Sequence, residues 1–217
     1  MLKLIIGNRN YSSWSLRPWV YLAHHGIDFE EQRIALFEPQ SREALLRETP
    51  TGLVPCLHDG PVRVWESIAI LEYLAERYPA TRGWPQDPAV RARARAISAE
   101  MHAGFRNLRI AMPMNCRRVT PARDWPAEVR ADVDRIAAIW SECRAAQSAQ
   151  AGPFLFGQFG VTDAMFAPVA FRFRTYPVAL PAAARAYCDA LLALPAMQAW
   201  LAAATAESET LPKYDTI

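Results

Sequence analysis

The sequence predicts a small α/β unit followed by an all-helical one, α/β then all-α. Three observations carry this. Strand-type runs, a single apolar one at 2–6 and a pair flanking Asp59-Gly60, fall only before about residue 78. A stretch with three prolines and a glycine, residues 78–88, then interrupts all periodicity. Beyond it the apolar residues return at helical spacing alone. The division is a first domain at 1–78, a linker at 79–88 and a helical domain at 89–217.

Each element follows from its residues. The run LKLII stops at Gly7 and predicts a buried strand. A polar loop leads to Ser15, a candidate N-cap, with Pro18 in the first turn, where a missing N–H does no harm. Leu16, Trp19, Val20 and Ala23 keep helical spacing until Gly26. Residues 29–34 predict a second strand and 41–48 a short polar helix. Asp59-Gly60 between two short apolar runs predicts a hairpin. Residues 66–77 predict a helix with Ile70, Leu71 and Leu74 inward. The order is β-α-β-α-β-β-α. After the linker, 88–112 predicts one long helix, because Ile97, Met101, Phe105, Leu108 and Met112 step by 4, 4, 3 and 4. Residues 126–150 predict a second, and shorter helices follow at about 162–172, 181–193 and 195–204. The polar tail from Thr205 is predicted to be loose.

Composition excludes some functions. The formal net charge is +2 over 217 residues, against phosphate-neutralising nucleic-acid binding and against a polybasic membrane anchor. Hydrophobic residues at 52% supply a sizeable core. Cys56, Cys116, Cys143 and Cys188 form no C-x-x-C pair and have no His at zinc spacing, so no metal site is expected. They read as free thiols in a reducing compartment. No apolar run matches a signal peptide or a membrane span, and a cytoplasmic protein is expected.

Three features carry chemistry. Val54-Pro55 opens a strand, where proline removes a ladder donor; it suits either an edge-strand start or a cis peptide that presents backbone to a ligand. Glu66-Ser67 begins a helix, whose free N–H groups and positive dipole end suit a carboxylate, with Glu66 for an ammonium; a plain cap is the alternative. Ser12-Ser13-Trp14-Ser15 places hydroxyls at another helix start, again as caps or as donors to an anion.

In this order (strand, serine turn, helix, Val-Pro, hairpin, Glu-Ser, helix, all-α domain) the chain resembles the cytosolic glutathione S-transferases over its whole length. The resemblance implies a thioredoxin-like glutathione-binding domain at 1–78 and a helical domain forming the co-substrate site. It implies that Val54, before a cis Pro55, pairs its backbone with the cysteinyl part of glutathione. Glu66 and Ser67 would hold the γ-glutamyl end, and Ser13, Ser12 or Ser15 would donate to the sulfur. Asp163 matches the family's buried capping box, with Gly160 where Ser or Thr is usual. Leu53 stands where many members place a polar contact to the glycyl carboxylate, leaving Arg42 or Gln40 as substitutes. Tyr11 is the lesser thiol-activating candidate. The S-S-x-S turn is similar to that of the zeta class, but Trp14 replaces its Cys. The first Cys is Cys56, so thiol-exchange classes that need a thiolate at this turn are excluded.

The co-substrate is expected on the fourth helix. Arg95, His102, Arg106 and Arg109 share a face there, beside Phe105 and Met112, forming either a solvated charged face or a basic cleft wall. Cys116 beside Arg117 and Arg118 is either a thiol of lowered pKa or an inert one. His24 and His25 end the first helix, where cationic character suits the dipole. The resemblance implies a homodimeric glutathione transferase acting on a small electrophile or a peroxide, with no metal, no nucleic acid and no membrane. The alternatives are a zeta-like glutathione-dependent isomerase and a weakly catalytic binding or stress protein.

Overall fold

A computed structural model describes residues 1–147 and 151–216. Four strands, β1 Leu2–Ile6, β2 Phe29–Arg33, β3 Cys56–Asp59 and β4 Val62–Trp65, form one mixed sheet in the order β2-β1-β3-β4. β1 is parallel to β2 and antiparallel to β3, and β4 is antiparallel to β3. Helices α1 Ser13–His24 and α2 Ser41–Glu48 connect the first three strands, and α3 Ser67–Arg77 follows β4. This is the thioredoxin-like arrangement. β1 is almost wholly buried, as its apolar residues require of an inner strand, and Lys3 alone is partly exposed, paired with Glu48 at 3.3 Å.

A 3₁₀ turn, Pro79–Thr81, leads into helices α4 Pro88–Ala103, α5 Arg106–Ala111, α6 Ala127–Ala145, α7 Val161–Thr175, α8 Ala182–Leu192, α9 Pro195–Ala206 and α10 Pro212–Asp215. α7 is the axis of the molecule: every residue in it but Arg174 is buried. It packs against α1, α3, α4 and α8, and so ties the helical part to the sheet-bearing part. Among the described residues no single helix is long and apolar enough to cross a membrane; only α8 and α9 together reach that length, bent by 66°.

Several expectations are corrected. The N-cap of α1 is Ser12, whose side chain accepts from the Ser15 N–H, so the helix begins at Ser13 and Pro18 falls in its second turn. The hairpin turn is Gly60-Pro61, since Asp59 pairs with Val62; Gly60 at φ 55 before proline is the sign pattern of a II′ turn. The long fourth helix is two pieces. Gly104 is extended and Phe105 sits at φ 60; the Asp132 carboxylate then accepts the Leu108 N–H at 2.9 Å and starts α5. All five residues of the apolar stripe stay buried across the break. α6 ends at Ala145, and its expected extension through 148–150 lies outside the described residues.

The tail is tied down rather than loose. Glu207 accepts the Arg9 and Asn10 N–H groups at 2.8 and 3.0 Å, and Arg117 donates to the carbonyls of Glu207 and Glu209 at 2.5 and 2.7 Å. A polar tail satisfies the open backbone of the loop after β1, which an apolar one would leave bare. His24 and His25 are not helix-end cations. The His24 ring packs 4.4 Å from Phe159, and burial pushes both imidazoles down, His25 to about 4.

The capping box is present with one half missing. Asp163 accepts the Gly160 N–H at 2.9 Å, the Leu155 N–H at 3.1 Å and the Tyr187 hydroxyl at 3.0 Å. Burial pushes its carboxyl up to about 6. A Cβ on Gly160 would lie 2.7 Å from the Gly83 carbonyl oxygen, which accepts the Val161 N–H at 2.9 Å. That approach explains why a hydroxyl residue is absent there.

Candidate functional site

Two joined clefts open where the sheet's C-terminal loops meet the helical part. The smaller, about 270 Å³, is lined by Trp14, Thr51, Leu53, Val54, Pro55, Trp65, Glu66 and Ser67. The Val54-Pro55 peptide is cis, and the ladder starts at Cys56, so the Val54 backbone lies beyond the sheet at the cleft wall. Glu66 sits at φ 65, a left-handed conformation that costs a bulky residue about 1–3 kcal/mol. It occupies the N-cap of α3 without a side-chain cap bond, so its carboxylate is not spent on the helix. The larger cleft, about 560 Å³, adds Tyr11, Ser12, Ser13, Arg42, Arg109, Arg172 and Tyr214.

The structure separates the three serines. Ser12 donates to Ser15 Oγ at 2.7 Å. Ser15 is fully buried, accepts the Gly7 N–H at 3.0 Å and lines neither cleft. Its hydroxyl holds β1 to α1, which corrects the expectation that it faces a ligand. Ser13, the first residue of α1, accepts from Arg172 Nη2 at 3.2 Å and donates to no group among the described residues. No acid stands in the first turn of α1, so its positive end is uncompensated. The Tyr11 hydroxyl is held by Asp215 at 2.9 Å and by Arg117 at 2.9 Å, which removes it as a free donor.

Behind the serine turn lies a buried cationic cluster. Arg17 is fully buried; its Nε donates to the Met165 carbonyl at 3.1 Å and its Nη1 to Ser67 Oγ at 3.2 Å. Its Nη2 has no partner among the described residues. Burial, then Arg109 and Arg172, push its guanidinium well below the ordinary value. Trp14 is stacked by Arg17 at 4.4 Å and by Arg109 at 4.9 Å. His102 reaches Glu66 at 3.3 Å, and burial, then Arg17, push its imidazole down. It therefore stands behind Glu66 as a neutral ring and not on the co-substrate wall.

Other expected co-substrate residues are placed elsewhere. Phe105 and Met112 are buried in the core, and Arg106 is exposed at the start of α5, because the chain turns at Gly104-Phe105. Arg95 pairs with Glu72 at 3.1 Å. Arg109 does line the larger cleft, and so do Leu53, 63% exposed, and Arg42. Gln40 caps α2 and lines neither cleft. Arg172 was not anticipated. The signal was a cation between two apolar rings, in Phe171-Arg172-Phe173, on a helix that is mostly apolar. Cys116 is fully buried, and burial pushes its thiol up to about 12 despite nearby arginines. Among the described residues no three His, Cys, Asp or Glu side chains are arranged to hold a metal ion. A separate cavity of about 200 Å³ lies at the N-terminus of α7, and its Thr162 and Asp163 are already paired with protein groups.

Along the wall of the joined clefts stand the Glu66 carboxylate, the Ser67 hydroxyl, the Val54 backbone and Ser13 beside Arg172. Residues 11–77 match the family model described as "Glutathione S-transferase, N-terminal domain", and 123–203 match "Glutathione S-transferase, C-terminal domain". A probable maleylacetoacetate isomerase of Caenorhabditis elegans is 35% identical over 111 residues, 49% of this chain and 50% of that protein. Glutathione S-transferase theta-3 of Mus musculus is 34% identical over 91 residues, 41% of this chain and 38% of that one. The matches thus span half or less of these relatives' length. The fold is similar to a glutathione transferase homolog from Burkholderia with bound glutathione, with TM-score 0.68, 24% identity and coverage of 95% and 99% of the two chains. It is also similar to the glutathione-bound theta-class transferase of Xanthomonas axonopodis pv. citri, with TM-score 0.66, 25% identity and coverage of 92% and 96%.

Proposed function

Since this chain belongs to the glutathione S-transferase family, we propose that it is a glutathione transferase in which Ser13 holds the glutathione sulfur as a thiolate for attack on a small electrophile. One observation carries the assignment of the serine. Of the three candidates, only Ser13 both faces the cleft and keeps its hydroxyl hydrogen uncommitted among the described residues.

The chain's residues divide the work. Glu66 takes the ammonium of the γ-glutamyl end. Ser67, oriented by Arg17, takes its carboxylate with the first N–H groups of α3. Val54 offers backbone to the middle residue, and Arg42, which lines the larger cleft, takes the glycyl carboxylate. Ser13 then donates to the sulfur. A thiol of ordinary pKa about 8.5 is only a few per cent ionised at pH 7, and bringing it to about 6.5 requires about 2.7 kcal/mol. A hydrogen bond to a charged acceptor supplies roughly 1.5–3 kcal/mol, and a helix N-terminus about 0.3–2. Together they supply about 1.8–5 kcal/mol, a range that contains the requirement. Arg172, donating to Ser13 Oγ, polarises the hydroxyl outward.

A thiolate titration tests this, by ultraviolet absorbance near about 240 nm from pH 5 to 9 with glutathione bound. The sulfur pKa is expected well below 8 and to return toward 8.5 in Ser13→Ala. Ser12→Ala, which loses a cap, is expected to lower stability by about 1 kcal/mol and leave that pKa in place. An unshifted pKa in the parent protein refutes thiol activation.

A second reading, a glutathione-dependent isomerase, is favoured by the relatives named as maleylacetoacetate isomerases. Trp14 stands against it, filling the position of the zeta-class Cys. The product distinguishes them, since an isomerase leaves no thioether. We also assign a homodimer, as the family suggests; light scattering at twice the 24.3 kDa chain mass tests it.

A further inference from the structure

The mouth of the larger cleft is aromatic and its floor is cationic. Tyr214 on α10 has its ring 5.9 Å from Tyr11 and 6.2 Å from Phe37. Phe37 is 68% exposed and held at φ 67, a conformation unfavourable for a bulky side chain. Its one aromatic neighbour among the described residues is Tyr214. Polar bonds, not apolar packing, seat α10 over the cleft: Tyr11 and Asn115 donate to the Asp215 carboxylate at 2.9 and 2.7 Å, and Arg118 to the Asp215 carbonyl at 2.6 Å.

Below this wall stands Arg109. Its Nε and Nη2 donate to the carbonyls of Gly104 and Met101, and its Nη1 donates to nothing among the described residues. Arg172 lines the same floor, and Glu38 is the one acid among the lining residues. The floor is thus a half-buried cationic surface with a donor to spare, under a wall of aromatic faces.

We infer that the second substrate is a planar aromatic organic anion, its ring against Tyr214 and Phe37 and its carboxylate on Arg109 Nη1. This rests on the transferase reading and names the class of electrophile. In the reaction, the sulfur bonds to the ring carbon bearing the leaving group, the carbon–halogen bond breaks, and halide departs with the electron pair.

Two matched pairs of probes test it on the full chain. The first, 3,5-dinitrobenzoate and 1,3-dinitrobenzene, has no leaving group and reads binding alone by calorimetry. The second, 4-chloro-3,5-dinitrobenzoate and 1-chloro-2,4-dinitrobenzene, reads turnover with glutathione, each rate divided by its uncatalysed rate. The acid is expected to bind and react about tenfold or more better than the neutral ring, as one charge-assisted hydrogen bond allows. Arg109→Met is expected to cut that acid-to-neutral ratio about tenfold, and Tyr214→Ala to weaken both probes several-fold while keeping the ratio. Arg109→Gln serves if the Met variant does not fold. Equal binding of acid and neutral ring, or a ratio that survives loss of the Arg109 charge, overturns the inference. Acid-selective binding without turnover refutes the transferase reading, and the aromatic anion is then a ligand of the cleft and not its second substrate.

Discussion

Replacing Asp163 by Asn gives a stability deficit that shrinks as pH rises. In the native protein two carboxylate oxygens serve three buried donors: Oδ1 takes the Leu155 N–H and the Tyr187 hydroxyl, and Oδ2 takes the Gly160 N–H. Asn keeps one carbonyl oxygen for the first two and turns an N–H₂ toward the third. One buried donor is left facing another, at a cost of about 1–3 kcal/mol. The pH dependence comes from burial, which raises the Asp163 carboxyl from 3.8 to about 6. A group with a raised folded-state pKa binds its proton more tightly in the fold. Its contribution is fully present below 3.8 and is lost as pH rises through about 6. The total is about 3 kcal/mol, of which about 2 falls between pH 4.5 and 7.5. Asn does not titrate. The deficit of Asp163→Asn is therefore expected to be about 1–3 kcal/mol at pH 7.5 and about 2 kcal/mol larger at pH 4.5. Urea unfolding of both proteins at one fixed concentration, followed by far-ultraviolet circular dichroism across that range, measures it. A deficit that is flat or grows with pH refutes the raised carboxyl.

Gly160→Ser restores the hydroxyl that a capping box favours, yet it is expected to lower stability by about 1–3 kcal/mol, because its Cβ would lie 2.7 Å from the Gly83 carbonyl; a higher melting temperature refutes the clash. His25, pushed down by burial and then by His24, contributes stability that is present above its ordinary 6.5 and lost as pH falls through about 4. His25→Gln is therefore expected to lose less of its urea midpoint than the parent between those pH values, and parallel losses refute the buried neutral ring. The four cysteines are all buried, and burial raises Cys116 and Cys188 to about 12 and Cys56 to about 11. A chromogenic disulfide reagent at about pH 8 is expected to label none of them in the native protein and all of them in urea; rapid labelling of the folded chain refutes this.

The sequence by itself determined the order of elements and the hydrophobic seams. LKLII is a buried strand because its apolar residues occupy both faces, Leu2, Leu4 and Ile6 on one and Ile5 on the other. The stripe from Ile97 to Met112 is buried as its spacing requires. The same spacing misled about continuity: a stripe reports which side faces the core, and it survives a break where Gly104 is extended and a distant Asp132 supplies the new helix start. Val54-Pro55 and Glu66-Ser67 were legible because each is a local pattern with a backbone consequence.

Tertiary structure alone decided which serine faces the cleft with its hydroxyl hydrogen uncommitted among the described residues. Ser12, Ser13 and Ser15 are alike in sequence, and they differ because Gly7, just after β1, takes Ser15 while Arg172 from α7 reaches Ser13. Arg172 lies 159 positions from Ser13, and no local pattern encodes that distance. The tail's polar sequence suggested mobility because polarity is ambiguous alone. Glu207 and Asp215 are held by groups far along the chain: the Arg9 and Asn10 N–H groups of the loop after β1, the Tyr11 hydroxyl and the Asn115 amide. Local spacing fixes what one stretch of chain prefers; partners for buried charges and open backbone groups are supplied from far along the chain, and only the folded molecule brings them together.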